Sequence, residues 1–195
     1  MIKREQYMCR IRPFIGGELI KVMTGIRRSG KSVMLELVKA ELVESGIDPA
    51  NFISINFEDM RYGHLLNAQA LHDHVMELAG HLSGKVYLFF DEIQEVADWE
   101  KCINSFRVAL DCDIYITGSN AKLLSGELAT YLGGRYVEFV IYPFSFGEFM
   151  ELYRTTQPEA TDAQCFQKYL QRRYALSCQS ALRRGAQPPV SDRPL

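Results

Sequence analysis

Paired cysteines are missing from this chain. Its five cysteines, Cys9, Cys102, Cys112, Cys165 and Cys178, are odd in number, scattered, and never spaced Cys-x-x-Cys. That argues against a disulfide framework and a thiolate metal site, and fits reduced thiols in a cytoplasmic protein. Long apolar runs are also missing: none approaches the roughly 18 residues of a membrane span. The opening Met1-Ile2-Lys3-Arg4-Glu5-Gln6 lacks the apolar stretch of a signal peptide. Charge of one sign does not dominate either. With 22 Lys and Arg against 24 Asp and Glu, the net charge is −2, which gives no general argument for nucleic acid. His72 and His74 look like a metal pair, yet residues two apart on a helix point away from each other. What remains is an ordinary globular composition, 47% hydrophobic and 24% charged. Its 195 residues suffice for one α/β domain and a small appendage.

Against that background one octet stands out. Gly25-Ile26-Arg27-Arg28-Ser29-Gly30-Lys31-Ser32 fits the phosphate-binding loop pattern of Gly, four residues, Gly, Lys and Ser or Thr. Leu19 to Met23 before it reads as a short buried strand. Val33 to Leu42 after it has helical spacing, with Met34, Leu37, Val38 and Leu42 on one face. In this context the glycines let the backbone curl around an oxyanion, with N–H groups pointing inward at a helix start. The expected cradle is Gly25 through Ser32 with Val33. Lys31 is expected to reach the β- and γ-phosphates of a nucleotide, and the Ser32 hydroxyl to hold Mg²⁺. Arg27 and Arg28 could touch phosphates or a partner, and at least one of them reads as solvated loop.

A second motif follows about 60 residues later. Val86-Tyr87-Leu88-Phe89-Phe90 reads as a central strand buried on both faces. It ends in Asp91-Glu92, where the carboxyl ends of parallel strands open onto a ligand crevice. Asp91 is expected to hold the Mg²⁺ with Ser32, and Glu92 to polarise the attacking water; the alternative is a pair of solvated carboxylates. Further strands are expected at 52–57, 114–117 and 136–142, the first preceded by an Asp48-Pro49 turn. Helices are expected at 65–81, from an Asp98 N-cap through Trp99, Ile103, Phe106 and Leu110, and around Leu123 to Tyr131. Trp99 and Phe106 read as core. Asn56, Glu58 and Asp59 read as solvated turn, with the far side of a nucleotide as the alternative. The fold class is α/β: a P-loop NTPase with a five-stranded, mostly parallel sheet covered by helices on both faces.

The octet, Asp91-Glu92-Ile93-Gln94 with Trp99-Glu100, Thr117-Gly118-Ser119-Asn120, Gly134-Arg135, and Tyr142-Pro143-Phe144-Ser145-Phe146-Gly147-Glu148-Phe149 resemble one known family. It comprises the predicted prokaryotic AAA-type ATPases that usually carry a C-terminal restriction-endonuclease-like domain. The resemblance covers roughly residues 2–170 and implies an AAA+-like core with strand order 5-1-4-3-2. It places Ser119 and Asn120 as polar sensors of the γ-phosphate, with helix capping as the alternative. It places Arg135 as an arginine finger for a neighbouring subunit, hence a homo-oligomer; pairing with Glu138 or Glu127 is the alternative. The Lys3-Arg4 pair reads as a solvated terminus, although N-terminal linkers of AAA+ proteins often lie near adenine. Adenine itself rests on the resemblance, since no guanine-reading Asn-Lys-x-Asp motif occurs.

Residues 1–143 form the expected core, and 144–170 begin a helical lid. Within that lid, Ser145-x-x-Glu148 and Thr161-x-x-Gln164 both have the form of capping boxes. Residues 171–195 change character. Five arginines against one acid give this stretch +4, leaving −6 on the rest, and Pro188-Pro189 adds a disordered composition. Relatives in the resembled family continue through a Gly-rich segment that should start near Leu170, so the tail is expected to be a truncated or frameshifted end. A basic arm for nucleic acid is the other reading. The function expected is Mg²⁺-dependent ATP hydrolysis by a switch or motor module. Its alternative is a non-hydrolysing, nucleotide-dependent interaction module. A small-molecule phosphotransferase is disfavoured by Glu92 beside Asp91. The protein partner is left open, no membrane is implied, and a DNA role is analogy only.

Overall fold

Alternation decides the architecture. In a computed structural model that describes residues 2–119 and 132–172, five strands form one parallel sheet: β1 (Ile20–Gly25), β2 (Phe52–Asn56), β3 (Val86–Asp91), β4 (Cys112–Ser119) and β5 (Tyr136–Val140). Their spatial order is β2-β3-β4-β1-β5, the order expected from the resemblance. Successive side chains point to opposite faces of a strand. Val86, Leu88 and Phe90 of β3 therefore enter one core with Ile114 and Ile116, while Tyr87 and Phe89 enter a second with Met23 and Tyr115. A strand that is apolar on both faces belongs in the middle of a sheet covered on both sides.

The covers are helical. Between β1 and β2 runs α2 (Lys31–Glu44), which buries Met34, Leu37, Val38 and Leu42 together with Leu35 against the second core. It shares that face with α1 (Glu5–Ile11), a helix not anticipated from the sequence. The first core is closed by α3 (Ala68–Ala79) and α4 (Trp99–Ala109). Trp99 and Phe106 are core residues there, as expected. The helix expected over 65–81 begins later, because Asn67 accepts the Ala70 N–H at 2.9 Å and caps α3. Asp98 stands at the N-cap of α4 as expected, but its carboxylate makes no capping bond. It adopts φ 58° and pairs with Lys101 instead.

Two helices follow the sheet, α5 (Phe146–Thr156) and α6 (Asp162–Arg172). Both expected capping boxes are formed. The Glu148 N–H reaches Ser145 Oγ at 3.3 Å while the Ser145 N–H reaches Glu148 Oε2 at 2.8 Å. The Thr161 N–H reaches Gln164 Oε1 at 3.0 Å in the same way. The expected helix over Leu123 to Tyr131, with Glu127, and the tail after Arg172 lie outside the described residues.

Candidate functional site

The loop after β1 is shaped by contacts that admit few side chains. A Cβ on Gly25 would stand 2.2 Å from the Ile141 carbonyl oxygen and 2.7 Å from Ser29 Oγ, so only glycine fits. Arg28 at φ 66° and Gly30 at φ 97° turn the chain back into α2. Gly30 is the N-cap of that helix and brings no capping side chain. The first amides of α2 are therefore left for something outside the helix, at its positive end. Ser29 is fully buried, and its Oγ has no hydrogen-bond partner among the described residues. The loop backbone, a free buried hydroxyl and uncapped amides together make a concave donor surface of the kind that takes an anion.

Lys31 lies inside this surface. Its Nζ is 3.4 Å from the Gly25 carbonyl oxygen, 3.5 Å from that of Ile26, and 3.3 Å from Glu92 Oε1. The lysine thus bridges the loop after β1 to the carboxylate after β3. Beside it, Asp91 ends β3 almost completely buried. Burial pushes its carboxyl above the ordinary value, against the opposing pull of hydrogen bonds from Ser32 and Thr117. Thr117, on the neighbouring strand β4, holds both acids. Its Oγ1 donates to Asp91 Oδ1 and accepts the Glu92 N–H at 3.0 Å. Glu92 takes a left-handed backbone at φ 56°, and its Oε2 accepts from Gln94 Nε2 at 2.6 Å.

These groups open onto a cleft of about 650 Å³ lined by Arg27, Lys31, Glu58, Glu92, Gln94 and Ser119 among others. All come from the carboxyl ends of strands, where parallel sheets place their ligands. The residues singled out in the sequence as cradle (Gly25 through Val33), metal holders (Ser32 and Asp91), water activator (Glu92) and phosphate sensor (Ser119) are therefore adjacent. Ile26 is 59% exposed at the loop tip, and Arg28 is exposed beside it. Arg27 reaches Glu58 across the cleft at 3.8 Å. Asn56 and Asp59 are turn residues, bonding the Glu58 and Arg61 amides. Asn120 lies outside the described residues.

One expectation needs correction, and one of the two partners weighed for Arg135 is excluded. Lys3-Arg4 is not a solvated terminus: Lys3 is exposed, but Arg4 is 2% exposed and its guanidinium bonds the loop itself through the Ser29 carbonyl at 2.9 Å. Arg135 does not pair with Glu138, whose Oε1 accepts from Thr24 Oγ1 at 2.6 Å. It is exposed, and its carbonyl accepts the Ile20 N–H at the start of β1. The phosphate loop follows the other end of that strand, roughly 17 Å away at about 3.3 Å per residue. Arg135 therefore does not reach this chain's own loop. His72 and His74 diverge as expected: His72 stacks on Phe106 and bonds Ser105, while His74 meets His64 edge-on. Thr117 and Gln94 were not singled out as site residues. Their signal is positional: Gln94 is two residues from Glu92, whereas Thr117 is brought beside Asp91 only by the register of β3 with β4.

The family model described as AAA domain matches residues 18–150. The chain belongs to the AAA-domain family. That span contains the loop, Asp91-Glu92, all five strands and Arg135. An uncharacterized protein of Haemophilus influenzae is 47% identical over 150 residues, 77% of this chain and 38% of its own length. An uncharacterized protein of Methanocaldococcus jannaschii is 38% identical over 135 residues, 68% of this chain and 28% of its own. This AAA domain thus spans less than two-fifths of either relative. Among solved structures, the Aeropyrum pernix ORC1 protein in complex with DNA superposes with a TM-score of 0.56 at 14% identity, over 80% of this chain and 49% of that one. PCH-2 of C. elegans superposes at 0.55 with 15% identity, over 80% and 47%. At such identities the likeness shows the fold alone, a parallel α/β sheet of AAA+ type. Among the described residues no helix is long and apolar enough to cross a membrane.

Proposed function

We propose that this AAA domain binds ATP with Mg²⁺ in the Gly25–Ser32 loop and hydrolyses it. The observation that carries the reading is the convergence of Lys31 with Glu92, and of Ser32 with Asp91, at one mouth of the sheet. The residues fit the groups they would hold. The uncapped α2 amides and the partnerless Ser29 Oγ suit phosphate oxygens. A hydroxyl and a carboxylate, both hard oxygen donors, suit Mg²⁺. Bound there, the ion would neutralise charge on the phosphate oxygens.

The chain's own residues do the rest by position and charge. Lys31 exchanges its contact with Glu92 for phosphate, which frees that carboxylate to accept a proton from water. Thr117 fixes where both acids stand, so little reorganisation is left for the reaction. Ser119, at the end of β4 and in the cleft wall, offers a hydroxyl to the same space. Arg135, at the opposite end of β1 from the loop, is read as serving a neighbouring copy and not its own loop. The module is read as a switch or motor whose larger partner and process lie with the rest of its relatives' length.

Calorimetric titration with ATP, with and without Mg²⁺, tests the binding half. Wild type is expected to bind in the micromolar range and Lys31→Ala to lose binding by at least about a hundredfold, as removal of a charge-assisted contact to phosphate should. Equal affinity in the two chains would contradict the site. ATP that binds without ever turning over would favour the non-hydrolysing module instead.

A further inference from the structure

We propose that Arg4 is a positioning residue for the phosphate loop and that, through Glu148, it makes nucleotide affinity depend on the docking of α5. The proposal rests on the nucleotide reading of that loop and assigns it a control element. Four stretches of chain meet at this one guanidinium. Nη1 donates to the Ser29 carbonyl at 2.9 Å, Nη2 to the Tyr142 carbonyl at 2.7 Å, and Nε to Glu148 Oε1 at 2.8 Å. The Tyr7 and Phe144 rings flank it at 4.6 and 5.0 Å, and its side chain has no exposure. To reach this place the Arg4 backbone adopts φ 46°, a left-handed conformation that a non-glycine residue holds only when its surroundings impose it.

The consequence for the loop follows from peptide geometry. No peptide bond among the described residues is cis, so the carbonyl of Ser29 and the N–H of Gly30 point in opposite directions. By drawing the Ser29 carbonyl outward, Arg4 turns the Gly30 N–H toward the concave side of the loop. That amide has no acceptor among the described residues, and the Ser29 hydroxyl beside it is buried without a partner. Two donors aimed at an anion are thus held by a bond on their far side.

Glu148 connects this arrangement to α5. The carboxylate that takes Arg4 Nε is also the N3 member of the α5 capping box, accepting the Ser145 N–H at 2.8 Å. Undocking α5 removes the counter-charge of Arg4 and loosens the Ser29 peptide. Binding energies are reciprocal, so nucleotide that favours the aimed amide also favours docked α5.

The test uses Arg4→Lys and Glu148→Gln in the full chain. Lysine keeps the charge but cannot reach three acceptors in one plane. Glutamine preserves the capping box while removing the counter-charge, which covers the case in which Arg4→Lys does not fold. Amide exchange of the 25–32 peptide, read without nucleotide, is expected to accelerate in both variants. ATP and ADP affinities are expected to fall together, by about tenfold in Arg4→Lys and about threefold in Glu148→Gln, the scale of one charge-assisted hydrogen bond lost or weakened. kcat at saturating ATP stays within twofold, a split that general destabilisation would not produce. Unchanged loop exchange in both variants, or unchanged affinity in a folded Arg4→Lys chain, overturns the proposal. A wild-type chain that takes up no ATP sinks the nucleotide reading and the proposal with it. The two failures are told apart because loop exchange is measured without nucleotide.

Discussion

Thr117 shows how much rests on single side chains. Its hydroxyl has two jobs, donating to Asp91 and accepting from the Glu92 amide. Thr117→Val keeps the shape and removes both bonds, leaving a buried carboxylate short of a donor. The expected cost is about 1–3 kcal/mol in urea unfolding, with a fall in kcat that exceeds any change in ATP affinity. Glu148 sets a pH dependence. Burial alone would raise its carboxyl, but hydrogen bonds from Arg4 and Ser145 outweigh that and hold it below its ordinary value of 4.5. A depressed folded value means that the stabilisation is complete above the unfolded value and is lost as pH falls through the folded one. Thermal unfolding should therefore separate wild type from Glu148→Gln near neutrality, and the two chains should converge as acid protonates Glu148. Two thiols are quiet by comparison: burial pushes Cys102 up to about 12 and Cys112 up to about 11.

Helix starts test the account at the scale of elements. Asn67 caps α3 through a formed bond, and Asp98 occupies the equivalent position of α4 without one. Asn67→Ala should cost about 1 kcal/mol. Asp98→Gly should stay within about 0.5 kcal/mol, since it gives up only an exposed ion pair and gains freedom at φ 58°. Denaturant midpoints of the two variants check the contrast; equal losses would contradict it. The same comparison shows what the sequence made legible. Two capping boxes, the phosphate loop and the doubly apolar β3 were readable because each is a local pattern with a local cause. Helix α1 was not, because its seven residues are too few to display a period. Strand β4 starts at Cys112, two residues ahead of expectation, since Asp113 looks out of place in a core until its partners are known. The site followed the same division. Residues contiguous with a motif were found, whereas Arg4 and Thr117 act across 25 or more positions of sequence.

At the scale of the whole molecule, the sheet has two ends with different tasks. The carboxyl ends of the strands carry the cleft, while the opposite end is held by a buried ion pair. Lys21 Nζ meets Asp113 Oδ1 with neither side chain exposed. Asp113 also accepts the Gly16 N–H at 2.7 Å and the Tyr115 hydroxyl at 2.8 Å. Lys21→Met leaves that carboxylate without its counter-charge and should cost about 3–5 kcal/mol, read as a drop in unfolding free energy; a change under about 1 kcal/mol would mean the pair is dispensable. The other end holds the central claim, that convergence of Lys31, Ser32, Asp91 and Glu92 makes an ATPase. Phosphate release from Mg-ATP, measured for wild type and Glu92→Gln across a dilution series, tests it most directly. The account predicts turnover in wild type, more per subunit as concentration rises if Arg135 serves a neighbour, and none in Glu92→Gln although that variant still binds ATP. Release in wild type no greater than in Glu92→Gln would contradict it.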